Sequence, residues 1–223
     1  MSGNYHYIVT GLPLLVLDND NKTFSYDKLC QTLREQLPSD DLRWVDWLDF
    51  GMNPACLGPH FYRAALRQKN PFIRQYFDFD LKLRNVLAAF SARKAGLELA
   101  SVLLPSHDTD FDQALLQSKT ADFGLRNLWD PAARLFGILE TPNLLQREEK
   151  IDQLRWDEAN HICTYQYFNI NTVLGFLLKA ALVQRWLLLD KELGQERFQT
   201  LVKELNPYRP STQQASDTKN TAT

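Results

Sequence analysis

The sequence predicts an all-α protein, a compact multi-helix bundle of seven to nine helices. Apolar residues recur at steps of three and four over long stretches, which is the period of one helix face. No stretch shows the alternation of a β-hairpin or the pattern of a strand–helix–strand unit. Proline also follows a capping residue at three points, which is typical of helix starts. These pairs are Asn70-Pro71, Asp130-Pro131 and Thr141-Pro142.

The N-terminal part combines one ambiguous segment with two predicted helices. Residues 5–18 are apolar and partly β-branched, and they predict a short strand or an extended arm packed on the bundle. Ser25 is placed to cap a helix that ends near Leu37, and the acidic residues after Ser39 suit the first turn of another helix. Residues 51–60 contain two glycines and two prolines, which predicts a loop.

The middle of the chain is dominated by a long predicted helix that begins at Asn70-Pro71 and ends at Gly96. Asparagine is a favourable N-cap, proline fits the first helical position, and glycine suits a helix end. An apolar stretch follows at 97–104, and residues 106–124 predict a short helix and a loop. The two later cap-then-proline pairs predict the starts of two further helices.

Residues 147–205 are the stretch around which the rest is organised, with two long helices and a short third. The first has an apolar stripe made of Leu144, Ile151, Leu154, Ile162 and Tyr165. The second, 172–189, is apolar almost all round, which is typical of a helix in the middle of a bundle. Its polar interruptions are Lys179, Gln184 and Arg185. Asn171 or Thr172 is placed to cap it.

The chain of 223 residues predicts a single helical domain over residues 1–205 and a disordered tail over 206–223. The tail is polar and lacks an apolar face. A net charge of −2 provides no basic field for nucleic acid. The three cysteines are far apart and show no CxxC spacing, which favours a reduced cytoplasmic setting over a disulfide framework or a zinc site.

The sequence predicts neither a membrane span nor a cofactor. Residues 173–189 are the one membrane candidate, but a lysine and an arginine there would each cost about 2.5–3.5 kcal/mol at mid-bilayer. The nine glycines form neither GxxxxGK[ST] nor GxGxxG, so no phosphate cradle and no nucleotide site are expected. GxSxG is absent, and the four histidines do not pair as metal ligands.

Charged residues on apolar helix faces are the main candidates for a special role. Asp80 and Arg84 lie four residues apart and could pair, and Asp152 lies three residues before Arg155. Because an unpaired buried charge is costly, we interpret them as an interhelical ion-pair network. A proton path or a catalytic carboxylate pair is the alternative. The candidate structural or interaction residues are Asp80, Arg84, Asn85, Glu148, Asp152, Arg155, Trp156, Lys179, Arg185, Trp186 and Asp190.

Three stretches carry a resemblance to a known family. They are YHYIVTGLPLLVLD at the start, YFDFDLKLRNVLAAFSARKAG at 76–96, and the segment from REEKIDQLRW to residue 205. They resemble a bacterial, Bacteroidetes-type family encoded with the genes of the V-type, or archaeal-type, ATP synthase. That family is similar to the ATPase C subunit, which corresponds to subunit d of the eukaryotic V-ATPase. The stretch at 76–96 is similar to a helix pattern of the C subunit, and it matches that pattern at Asp80, Arg84, Asn85 and Leu87. Three-repeat C subunits are considerably longer than this chain.

The resemblance implies a C-subunit-like, non-catalytic part of an ion-transporting ATPase, which couples the central stalk to the membrane rotor ring. It implies the central-stalk subunits and the rotor ring as partners. It also implies a cytoplasmic, peripheral location on the inner face of the cell membrane through the complex. Two alternatives stay open: a soluble helical enzyme using residues such as Asp80, Asp152 and Arg155, or an unrelated helical adaptor. A deep pocket with convergent carboxylates would favour the enzyme.

Overall fold

The computed structural model describes residues 5–17 and 25–188, and in these ranges the protein is all-helical, as predicted. Short 3-10 helices occur at Pro54–Cys56, Leu99–Ser101 and Leu125–Asn127. The α-helices of the described ranges are α1 (Tyr5–Thr10), α2 (Tyr26–Gln36), α3 (Ser39–Met52), α4 (Pro59–Ala65), α5 (Pro71–Ala95), α6 (Thr109–Gln117), α7 (Ala132–Leu139), α8 (Leu144–Cys163) and α9 (Ile170–Leu188).

The N-terminal segment is a helix followed by an arm, not a strand. Residues 5–10 form α1, and residues 12–17 continue without regular secondary structure. Ile8 of α1 is buried, so the segment packs on the bundle. The third predicted helix near 194–205, the tail at 206–223 and Asp190 lie outside the described residues.

Several helices begin where the capping pattern indicates. The Ser25 side chain accepts a hydrogen bond from the Lys28 N–H, and the Asn70 side chain accepts one from the Ile73 N–H at 2.9 Å. Gly96 closes α5 with a φ of 68°, a left-handed conformation that glycine adopts without a steric cost. These contacts satisfy backbone groups that a helix end would otherwise leave unpaired.

Helix α7 begins at Ala132, one residue later than Asp130-Pro131 predicts, and it has no side-chain cap. Two further cap predictions are wrong by a few residues. Helix α8 begins after Asn143, whose side chain accepts from the Gln146 N–H, and not at Thr141-Pro142. Helix α9 is capped by Asn169, whose Oδ1 accepts from the backbone N–H groups of Asn171 and Thr172. In both cases an asparagine was available nearby, and sequence spacing alone does not show which of two neighbouring polar side chains turns back onto the helix.

The predicted loop at 51–60 is mostly helical. Helix α3 runs through Gly51 to Met52, and α4 begins at Pro59. A Cβ on Gly51 would lie 2.1 Å from Cζ of Phe77 and 2.8 Å from Cζ of Phe61. The glycine is therefore required by rings packed against the helix backbone, and it does not break the helix.

Helix α9 lies at the centre of one contiguous hydrophobic core. It packs against α1, α2, α3, α5 and α8, which explains why α9 carries apolar residues on nearly all of its sides. The predicted apolar stripe of α8 is wrong at both ends. Ile151 and Leu154 are buried, but Leu144 and Tyr165 are 67% and 84% exposed. Leu144 is the first residue of α8 and Tyr165 lies beyond its last, so neither continues the buried face. None of the described helices is long and apolar enough to cross a membrane.

Candidate functional site

Asp80 on α5 is a buried carboxylate contacted from three helices. Only 2% of its surface is exposed. Its Oδ2 accepts hydrogen bonds from the hydroxyl of Tyr62 on α4 and from Nε of Arg84, both at 2.7 Å. Its Oδ1 lies 3.5 Å from Nε of Arg155 on α8 and is buried without a hydrogen bond to any described residue. The two guanidinium groups offset the cost of removing this carboxylate from water.

Asp152 on α8 is fully buried and fully partnered. Its Oδ1 accepts a hydrogen bond from Nη1 of Arg155 at 2.8 Å. Its Oδ2 accepts one from Nε1 of Trp186 on α9 at 2.9 Å and lies 3.3 Å from Nη2 of Arg185. Arg185 continues outward to Oε2 of Glu148 at 3.0 Å, where both side chains are more than 40% exposed.

Arg155 connects the two carboxylates. Its side chain is 10% exposed and bridges Asp80 and Asp152. Burial lowers the pKa of this guanidinium, but the neighbouring Asp80, Tyr76 and Asp152 outweigh burial and raise the pKa above its ordinary value. The group therefore remains charged, and the charges alternate in sign along the path Arg84, Asp80, Arg155, Asp152, Arg185 and Glu148. We call these six charged residues, together with Tyr62 and Trp186, the ion-pair network.

The network contains seven of the eleven residues singled out from the sequence: Asp80, Arg84, Glu148, Asp152, Arg155, Arg185 and Trp186. Asn85 lies apart, where its side chain exchanges two hydrogen bonds with the backbone of Leu104 and fixes the segment at 97–104. Lys179 also lies apart: its Nζ donates to Oδ1 of Asn160 at 3.1 Å and lies 5.3 Å from the ring centroid of Trp156. Burial lowers the pKa of Lys179.

Sequence reasoning missed two tyrosines and one polar bridge. Tyr62 and Tyr76 adjoin Asp80, and neither stands out because a tyrosine on an apolar face is an ordinary core residue. Nδ2 of Asn70 donates to Oδ1 of Asn171 at 2.9 Å, and this buried bond ties the start of α5 to the start of α9. Both asparagines could be identified as cap candidates, but their contact requires the tertiary fold.

A cavity of about 380 Å³ lies beside the network. Asp80, Arg84, Arg155 and Arg185 line it together with Tyr76. Asp152 is absent from the lining, so Asp80 and Asp152 do not converge in this cavity, and Asp80 is the one carboxylate among the described residues that line it. We call it the arginine cavity.

A second, larger cavity of about 670 Å³ lies between α5, α7 and α8. Its charged residues are Asp78, Asp130, Arg134, Asp157 and Glu158. Burial raises the pKa of Glu158. Arg134 pairs with Asp157 at 2.5 Å. Within the described residues, no three histidine, cysteine, aspartate or glutamate side chains are grouped so that they could hold a metal ion.

Residues 52–207 match the model of DUF2764, a family of proteins of unknown function, and the chain belongs to that family. The match includes all the helices from α4 to α9 and therefore the whole ion-pair network. No curated protein and no solved structure matches the chain.

Proposed function

We propose that this member of DUF2764 is a non-catalytic subunit of a V-type or archaeal-type ATP synthase or ATPase, which couples the central stalk to the membrane rotor ring during ion transport. Its partners are the central-stalk subunits and the ring. It lies on the cytoplasmic side and is held at the inner face of the cell membrane through the complex. One observation carries the proposal: the stretches of α5, α8 and α9 that resemble the ATPase-associated bacterial family include the charged residues of the ion-pair network.

A subunit that transmits torque must resist sliding of its helices, and the network supplies such resistance. Close-packed interiors have low compressibility and transmit strain. Ion pairs and hydrogen bonds add directionality, since they join α4, α5, α8 and α9 through defined atoms. A shift of one helix past another would break several of these contacts together. The network therefore fits a part that carries load between other subunits.

The turn between α8 and α9 supports a role in protein binding. Tyr165, Tyr167 and Phe168 are 84%, 66% and 49% exposed, and the ring of Phe168 stacks on His6 with centroids 4.6 Å apart. Tyrosine and tryptophan supply much of the binding energy at protein interfaces, where their rings become buried. We place the contact with the central stalk at this aromatic turn.

The ion-pair network gives less support to an enzyme that uses Asp80 and Asp152 as its carboxylate pair. A catalytic carboxylate pair needs two titratable groups within reach of one ligand. Asp152 is 0% exposed and both its oxygens are occupied by Arg155, Trp186 and Arg185. Only Asp80 of the pair lines a cavity. An unrelated helical adaptor differs from our proposal in its partner, so partner binding separates the two.

The purified protein should bind the purified central-stalk subunits of its own organism's ATPase and should show no ATP hydrolysis and no micromolar binding of ATP. The expected association follows from the exposed aromatic turn. Calorimetry with the stalk subunits and, separately, with ATP measures both. Micromolar affinity for ATP without affinity for the stalk subunits would contradict the proposal and favour an enzyme.

Two double variants locate the contact. Tyr165→Ser with Tyr167→Ser should weaken stalk binding at least tenfold. Leu144→Ser with Leu145→Ser is the matched control, because these side chains are also exposed, at 67% and 62%, but lie at the other end of α8. That control should bind as the wild type does. A loss of stalk binding in the leucine variant alone would indicate that the contact lies at the other end of α8.

A further inference from the structure

The arginine cavity has a strongly asymmetric lining. Arg84 of α5, Arg155 of α8 and Arg185 of α9 converge on it, while Asp80 is the one carboxylate among the described residues that line it. Three guanidinium groups against one carboxylate give the described part of the lining a formal charge of +2. The other described residues of the lining are uncharged. Positive charge in a partly enclosed, low-dielectric space attracts anions more strongly than the same charge on an open surface.

Hydrogen-bond donors remain unused beside this cavity. Arg84 engages Asp80 through Nε, and Arg155 engages Asp152 through Nη1. Arg185 engages Glu148 and Asp152 through Nη2 alone. Among the contacts between described residues, the terminal nitrogens of Arg84, Nη2 of Arg155 and Nη1 of Arg185 make no hydrogen bond. Tyr76 is 2% exposed, and its hydroxyl also makes none with a described residue. The Arg84 and Arg185 side chains are 36% and 41% exposed, so their unbonded nitrogens are accessible to an acceptor that enters the cavity.

We propose that the arginine cavity binds a small molecule through an oxyanion, a carboxylate or a phosphate group, which accepts hydrogen bonds from Arg84, Arg155 and Arg185. Arginine presents a planar fork of donors that matches both oxyanions. The cavity of about 380 Å³ also has apolar walls at Met52, Pro54 and Leu182, which suit a short carbon chain attached to the anionic group. Neither the resemblance nor the proposed function requires this site.

The network fixes the geometry of the proposed site before a ligand arrives. Asp80 holds Arg84 at 2.7 Å, and Asp152 holds Arg155 at 2.8 Å. Guanidinium groups fixed in this way lose little conformational freedom on binding, which favours affinity. The same carboxylates reduce the net positive charge, so we expect small anions to bind in the millimolar range and the natural ligand to gain affinity from its apolar part.

Titrations with inorganic phosphate and, separately, with succinate test the site in the full-length protein at constant ionic strength. In NMR spectra, the chemical shifts of the arginine Nε–H resonances should change and reach saturation with at least one of the two probes. Saturation with phosphate alone identifies a phosphate group, and saturation with succinate alone identifies a carboxylate. Linear, unsaturated shifts with both probes would overturn the proposal.

Three variants show whether binding occurs in this cavity. Gln184→Glu adds a carboxylate to the lining without removing an ion pair, and it should weaken anion binding at least tenfold. Arg185→Gln should have a comparable effect. Arg134→Gln is the control, because it removes an ion-paired arginine that lies outside the arginine cavity, and binding should not change. Equal affinity in the wild type and in Gln184→Glu would overturn the assignment even if Arg185→Gln failed to fold.

Discussion

Replacing Arg155 with alanine should lower the free energy of unfolding by about 3–5 kcal/mol, because it leaves two buried carboxylates without their shared partner. Asp80 is 2% exposed and Asp152 is 0% exposed. Asp80 would keep Tyr62 and Arg84, but its Oδ1 would lose the guanidinium group of Arg155 beside it. For a domain of this size the loss corresponds to a fall in melting temperature of roughly 6–20 °C. Urea denaturation followed by circular dichroism measures the change.

Arg134→Ala is the matched control for this substitution. It also removes an arginine paired with an aspartate, but the side chains of Arg134 and Asp157 are 53% and 39% exposed. Exposed pairs contribute about 0–1 kcal/mol, so this variant should unfold close to the wild type. If Arg155→Ala proved as stable as Arg134→Ala, the network would not be structural, and a proton path or a catalytic role for Asp80 and Asp152 would become the better explanation.

Gly51→Ala should destabilise the protein by about 1–3 kcal/mol, because the added methyl group has no space. Its Cβ would lie 2.1 Å from Cζ of Phe77 and 2.8 Å from Cζ of Phe61, and both rings are buried. Relief would require displacing α3 from α5, which also changes the wall of the arginine cavity at Gly51. Chemical denaturation is again the measurement.

The same substitution at Gly137 should have the opposite effect on stability. Gly137 lies within α7 and is exposed, and a Cβ added there would meet nothing within 4 Å beyond the backbone of its own helix. Alanine is favoured over glycine inside a helix by roughly 0.8–1 kcal/mol, so Gly137→Ala should stabilise the protein by up to that amount. If both alanine substitutions destabilised the protein, or if neither did, the packing described at Gly51 would be contradicted.

The sequence could predict the helices whose ends carry local signals. Asn70, Pro71 and Gly96 bound α5 within a residue, because caps and proline positions depend on nearby backbone groups. The central position of α9 was predictable too, since a helix that is apolar on all sides must be surrounded. The loop prediction at 51–60 failed because Gly51 reflects a contact with Phe77, which lies on another helix and far along the chain.

The site was predictable in part for a similar reason. Spacing placed Asp80 with Arg84 and Asp152 with Arg155, since residues three or four apart share a helix face. Spacing could not show that Arg155 also reaches Asp80 across two helices. Nor could it separate Asp80 from Asp78, which is half-buried and pairs with Lys82 at 3.3 Å. Only the packing of α5 against α4 and α8 determines which of the two aspartates enters the core.

The most direct test of the proposed coupling role is the composition of the complex that this protein forms in its own cells. A tagged chain, produced at its natural level, is purified from membranes dissolved in mild detergent, and its partners are quantified by mass spectrometry. Our account predicts that central-stalk, catalytic and rotor-ring subunits of the ATPase are recovered in constant proportion to the chain. Recovery of the chain without any ATPase subunit, while the intact ATPase is purified without the chain, would contradict it.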